Sequence, residues 1–193
     1  MKVFKGIELS LLLLVQTIIV FTLLTDGIPY GILIVPLTGL LSMTYFMAGV
    51  FIFGKMPIGK NLKTIALGIP LGIITSIALM GIVFKFMLYE GANIMLGTGL
   101  YPALMGLIVV VVLFAKSKEN RSHWKLVMFR LVVLIIPALL LYSKSEVEMV
   151  ENRYSDYPFY IDAYKVYMDD PTKENVLLLD EAREKMDSLR ISE

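Results

Sequence analysis

The chain has no cysteine, one histidine and one tryptophan among its 193 residues. Without cysteine there are no disulfides, no thiolate metal ligands and no cysteine nucleophile. A single histidine, His123, excludes zinc sites built on histidine pairs. Ser117 and Ser122 neighbour it in sequence, but neighbours on one loop do not make a catalytic triad. Acids are scarce over residues 1–142, where only Glu8, Asp26, Glu90 and Glu119 occur. None lies in the middle of a long apolar run, so intramembrane aspartyl proteolysis and proton relays through buried acids lack their residues. No P-loop or dinucleotide-type glycine motif stands in a strand–turn–helix context. No catalytic, cofactor or metal constellation is therefore expected, and the chain reads as a non-enzyme.

Apolar residues are abundant: they make up 57% of the chain, and the mean hydropathy is +0.74. The excess lies in runs over about 7–25, 30–53, 64–88, 94–115 and 126–142. A membrane-crossing helix needs roughly 20 mostly apolar residues. The last run is the shortest and carries Arg130, which leaves a helix lying in the membrane surface as its rival reading. Lys2 and Lys5 before the first run resemble the charged start of a signal peptide. That run is longer than the usual signal core, however, and no small-x-small cleavage site follows it. An uncleaved first span is expected. The expected fold is an all-α integral membrane protein, a bundle of about five transmembrane helices (1–142) with a C-terminal amphipathic helical hairpin (143–193).

Charge separates these regions. Residues 1–142 hold eleven Lys/Arg against four Asp/Glu, whereas 143–193 hold seven against thirteen. The net charges are thus 11 − 4 = +7 and 7 − 13 = −6. The only sizeable free segment is acidic and would repel phosphates, so no nucleic-acid partner is expected. Lys2 and Lys5, then Lys55, Lys60 and Lys63, then Lys116, Lys118, Arg121 and Lys125 mark alternate loops as basic. The loops between them carry only Asp26 and Glu90. Under the positive-inside rule this places the N-terminus in the cytoplasm of a plasma-membrane protein and the tail outside. Tyr30, Tyr89 and Tyr142 fall at the expected outer helix ends and Trp124 at an inner one, as interfacial aromatics do. Failure of the fifth run to cross would move the tail to the cytoplasm.

Inside the runs, Pro36, Pro70, Pro102 and Pro137 read as kinks in a packed bundle, with hinged helices around a passage as the alternative. Gly68, Gly72 and Ser76 recur at four-residue steps, and Gly99 and Ala103 repeat the pattern. Small residues let helix backbones approach, so these are the candidate packing faces. Thr38, Ser42 and Tyr45, which continue in register to Gly49, together with Gln16 form a candidate polar lining. Lys85 and Arg130 lie near run ends and are expected to snorkel to headgroups. GIPYGI (27–32) and GIPLGI (68–73) share six-residue similarity only and read as coincidence.

In the tail, Tyr157, Tyr160, Ile161, Tyr164, Tyr167 and Met168 share one helical face. Val176, Leu179, Ala182, Met186 and Leu189 share another. Asp170-Pro171 is a fitting start for the second helix. Tyrosine suits recognition surfaces, so Tyr157, Tyr160, Ile161, Tyr164, Tyr167, Leu179 and Met186 are the candidate interaction face. The same rings could instead close the hairpin on itself.

The leading functional expectation is a membrane subunit that assembles, with a protein partner or with itself, through its spans and its tail. Membrane lipids are the other expected contact, and no cofactor or metal is expected. The alternative is a small oligomeric channel or a solute or lipid carrier. A third reading is a lipid-modifying enzyme using His123, Glu119 or Glu8.

Overall fold

The computed structural model describes residues 2–25, 31–54, 62–89, 91–116 and 120–192. Asp26, Tyr30, Lys55, Lys60, Glu90, Ser117, Lys118 and Glu119 lie outside the described residues. All regular structure among the described residues is helical: α1 (Lys2–Thr25), α2 (Gly31–Phe53), α3 (Leu62–Phe86), α4 (Ala92–Lys116), α5 (Arg121–Ser143), α6 (Glu146–Arg153), α7 (Pro158–Asp169) and α8 (Lys173–Ser192). The chain divides into two compact units, Met1–Ser143 and Lys144–Glu193.

In the first unit, α1 to α5 are each long and apolar enough to cross a membrane. They are apolar on most of their circumference, as helices surrounded by lipid are. α5 begins at Arg121, so the fifth span is longer than its apolar run. It gains a turn over Arg121–Lys125, where polar side chains can reach headgroups while the backbone keeps its hydrogen bonds. α2 packs on α3, α3 on α4 and α4 on α5, and α1 returns against both α2 and α5. Pro36, Pro70, Pro102 and Pro137 lie inside continuous helices.

Glycine governs the closest contacts. A Cβ added to Gly72 of α3 would lie 2.7 Å from the Gly49 Cα of α2, and one added to Gly99 of α4 would lie 2.4 Å from the Ala78 Cα of α3. Neither position has room for a side chain. Gly68 faces the Val50 and Gly54 backbone, where an added Cβ would come within 3.3 Å of Val50. Ala103 is buried on α4. Between α3 and α4 the chain turns through Leu88 in the left-handed region (φ 55°). The Tyr89 N–H then reaches back to the Phe84 carbonyl at 3.0 Å, and the Leu88 N–H to the Lys85 carbonyl at 3.2 Å. These two bonds close the α3 end as a Schellman cap.

The second unit has three helices rather than the expected two. Ser145 caps α6, its hydroxyl accepting from the Glu148 N–H at 3.0 Å. Pro158 opens α7. α8 starts at Lys173 rather than beside Asp170. Thr172 is its cap, accepting from the Asn175 N–H at 3.4 Å, and the Asp170 carbonyl instead accepts from the Asn175 side chain at 2.7 Å. α7 and α8 pack together, with Val150 of α6, Tyr160, Ala163, Tyr164, Leu179 and Met186 buried.

Candidate functional site

Three buried polar groups and one half-buried lysine meet where α1, α2 and α5 converge. Glu8 projects from α1, Tyr45 from α2 and Arg130 from α5, and Lys5 lies one turn before Glu8. The α1 and α5 helices advance in the same direction, so residues 122 apart in sequence stand at one depth. The Arg130 Nε donates to Glu8 Oε1 at 3.2 Å and to Oε2 at 3.1 Å, and Nη2 donates to Oε2 at 2.7 Å. Nη2 also reaches the Lys5 carbonyl at 3.4 Å. The Tyr45 hydroxyl donates to Glu8 Oε1. Both side chains of the ion pair are 1% exposed.

Lys5 completes the cluster from another side. Its Nζ donates to the Ile52 and Gly54 carbonyls at 3.3 and 3.2 Å. Ile52 lies in the last turn of α2 and Gly54 follows its end, where carbonyls have no partner within the helix. A lysine here both satisfies them and sits favourably at the negative end of the helix dipole. The Tyr45 ring packs 5.5 Å from Phe53.

Chemically this is a buried tie between three helices. Both Glu8 oxygens accept charge-assisted bonds, and Tyr45 occupies the remaining approach to one of them. The guanidinium keeps one buried group, Nη1, without a partner among the described residues. Instead of snorkelling, Arg130 turns inward. A buried carboxylate within reach satisfies the guanidinium through a bidentate geometry that a headgroup would match only at the membrane surface.

The same correction holds for Lys85, which is fully buried and donates to the Asn93 Oδ1 of α4 at 2.5 Å. Ser42 and Ser76 pair across α2 and α3, the Ser42 Oγ standing 2.9 Å from the Ser76 carbonyl and 3.0 Å from its Oγ. Of the candidate lining, Tyr45 and Ser42 are thus occupied. Gln16 and Thr38 are buried with no partner for their side-chain polar atoms among the described residues, and Thr75 joins them.

In the tail, Tyr160, Tyr164, Leu179 and Met186 are buried, whereas Tyr157, Ile161 and Tyr167 are half-exposed. The Tyr154 and Tyr160 rings stack edge-on at 5.0 Å, and Lys185 sits 4.7 Å above the Phe159 ring. Burial raises the Tyr160 hydroxyl pKa against the lowering effect of Arg183, and burial pushes Tyr164 up to about 12.

The Glu8–Arg130 pairing and Asn93 are the site features that run-by-run reading passes over. One signal was available: an acid in one apolar run and a base in another, each a short way in from the same side of the membrane.

The protein is an all-α, multi-pass membrane protein. No protein family, characterised protein or solved structure compared with the chain gives a match.

Proposed function

We propose that this protein is a non-enzymatic membrane subunit that assembles through its spans and its acidic, tyrosine-rich tail. The observation that carries the reading is the tail's surface. Although its core is closed, Val166, Met168, Leu177 and Leu178 remain exposed, Leu177 at 63%. Apolar surface left open on a segment outside the spans marks an interface. The surrounding net charge of −6 over residues 143–193 favours a basic partner face. Within the bundle, the ion pair, the serine pair and the Lys85–Asn93 bond serve helix packing, which further supports an assembly role over catalysis. The alternation of basic loops supports a plasma-membrane orientation with the tail outside.

A gentle-detergent pull-down from native membranes tests this. Full-length protein is compared with a chain ending at Ser143 and with Leu177→Glu/Leu178→Glu. A stoichiometric partner lost in both variants is the expected result. Equal recovery with all three would remove the tail from the interface.

A second reading, a small oligomeric channel or carrier, draws on Gln16, Thr38 and Thr75, whose buried polar atoms lack partners. Solute flux in proteoliposomes that falls on Thr38→Val would favour it, and absence of flux would remove it.

A further inference from the structure

A crevice of about 410 Å³ opens between α1 and α5, lined by Leu13, Gln16, Thr17, Phe21, Val133 and Pro137 among others. Its walls are apolar apart from Gln16 and Thr17. Gln16 is buried, and neither its amide nitrogen nor its amide oxygen has a partner among the described residues. It stands near the middle of α1, at a depth where lipid supplies acyl chains and no hydrogen-bonding atom. A primary amide there is satisfied only by a group bringing both a donor and an acceptor to that depth. The crevice between α3 and α4, about 440 Å³, differs. Its polar side chain, Tyr101, already donates to the Tyr142 hydroxyl at 3.1 Å. That second crevice suits acyl chains and serves as a control face.

We propose that the α1/α5 crevice receives α1 of a second copy of this chain, forming a parallel two-fold pair in which the two Gln16 amides bond each other. The proposal rests on the assembly reading and names the partner. Two copies inserted the same way bring Gln16 to the same depth without any further matching. About a two-fold axis along the membrane normal, each amide gives an N–H to the other's carbonyl, so both orphaned atoms are satisfied together. Gln16 lines the crevice, and the pairing requires its amide to turn from its buried position toward the opening through a change of side-chain rotamer. Thr17 and Phe21 are exposed beside it and would flank the contact.

The absence of cysteine makes the test clean, because one introduced thiol is the only crosslinking site. Thr17→Cys in the α1/α5 crevice is compared with Met105→Cys in the α3/α4 crevice, in intact membranes, using a bis-maleimide. A product of twice the chain's mass is expected from Thr17→Cys and not from Met105→Cys. Adding Gln16→Leu to Thr17→Cys should lower the crosslinked fraction about tenfold, the scale of one interhelical polar contact. Gln16→Asn should retain much of it. Leucine is benign in a membrane helix, so loss of the product there reports the amide rather than misfolding. Equal products from both cysteine positions, or no effect of Gln16→Leu, would overturn the proposal. A crosslink from Thr17→Cys to a different polypeptide would overturn the homodimer but leave the assembly reading standing. No crosslinked product together with no partner in the pull-down would remove both.

Discussion

In the α1–α5 bundle three charged side chains, Glu8, Lys85 and Arg130, turn inward among apolar ones, while large apolar side chains such as Phe46, Met47 and Ile94 face out. In α6–α8 the arrangement is reversed. Tyr160, Tyr164, Leu179 and Met186 are buried, and most of the acidic residues lie on the surface. The contrast follows from the solvent each unit is built for. Burying a leucine away from lipid gains little, so a membrane bundle coheres through polar ties and close backbone contact. In water the apolar area itself drives packing, and charges belong outside.

The comparison breaks most sharply at Arg130. Arg130→Met leaves Glu8 buried without its counter-charge, and removing one partner of a buried pair costs about 3–5 kcal/mol. A large drop in the thermal midpoint of the detergent-solubilised protein is the expected outcome. Glu8→Leu added to Arg130→Met should recover most of that loss, since an apolar replacement of the whole pair is often neutral. The tail offers the opposite case in Lys165–Glu151, a surface pair at 2.7 Å. Lys165→Met there should leave the midpoint unchanged. If the two single substitutions proved equally harmful, the inside-out description of the two units would fail.

Next comes Gly72→Ala. Its added methyl would sit 2.7 Å from the Gly49 Cα, so α2 and α3 must separate. Overpacking of this kind costs about 1–3 kcal/mol, read in the same thermal assay. An unchanged midpoint would mean that the α2–α3 contact is looser than the geometry describes.

Much of the bundle is legible in composition, because crossing a membrane is a matter of length and apolarity. The expectation of an all-α bundle with five spans is met by α1 to α5. Pairing between helices is another matter. Glu8 and Arg130 lie 122 residues apart, and no periodicity links α1 to α5. Each charge viewed within its own run looks like a residue near a helix end, for which snorkelling is the natural expectation. Likewise the small-residue stripes do not say which helix Gly72 meets; Gly49 becomes its neighbour only once α2 and α3 are laid antiparallel. In the tail, the start of α6 is marked in the sequence. Ser145 with Glu148 three residues on is the pattern of a capping box, but the short segment lacks the apolar stripe that marks the longer helices.

The two units should also separate by pH. Tyr164 is held neutral chiefly by burial, reinforced by Glu146, Tyr160 and Tyr167 and opposed by Arg183, so its pKa stands at about 12. In an unfolded chain tyrosine titrates near about 10. The contribution is therefore fully present below pH of about 10 and is lost as pH rises towards about 12, because the unfolded chain gives up its proton first. Amide exchange in α7 and α8 should accelerate over that window, and Tyr164→Phe should blunt the acceleration. Acceleration unaffected by Tyr164→Phe would assign the alkaline loosening to other groups.

The smallest expected effect sharpens the comparison by its confinement. Ser145 holds the α6 start through one bond from its hydroxyl to the Glu148 N–H. The Glu148 carboxylate does not return the favour of a full capping box, because Lys144 engages it and holds its pKa below the usual range. Ser145→Ala thus removes a single cap, which costs about 1 kcal/mol. Because α6 packs on α7, the loss should reach the hairpin as faster exchange at Glu148 and then at Val150. The α1–α5 bundle forms a separate unit and should keep its midpoint. Ser145→Asp, which restores an acceptor, should return the α6 amides to wild-type exchange. Were Ser145→Ala to lower the bundle's midpoint as well, the two units would be energetically continuous, and their different interiors would reflect one cooperative structure.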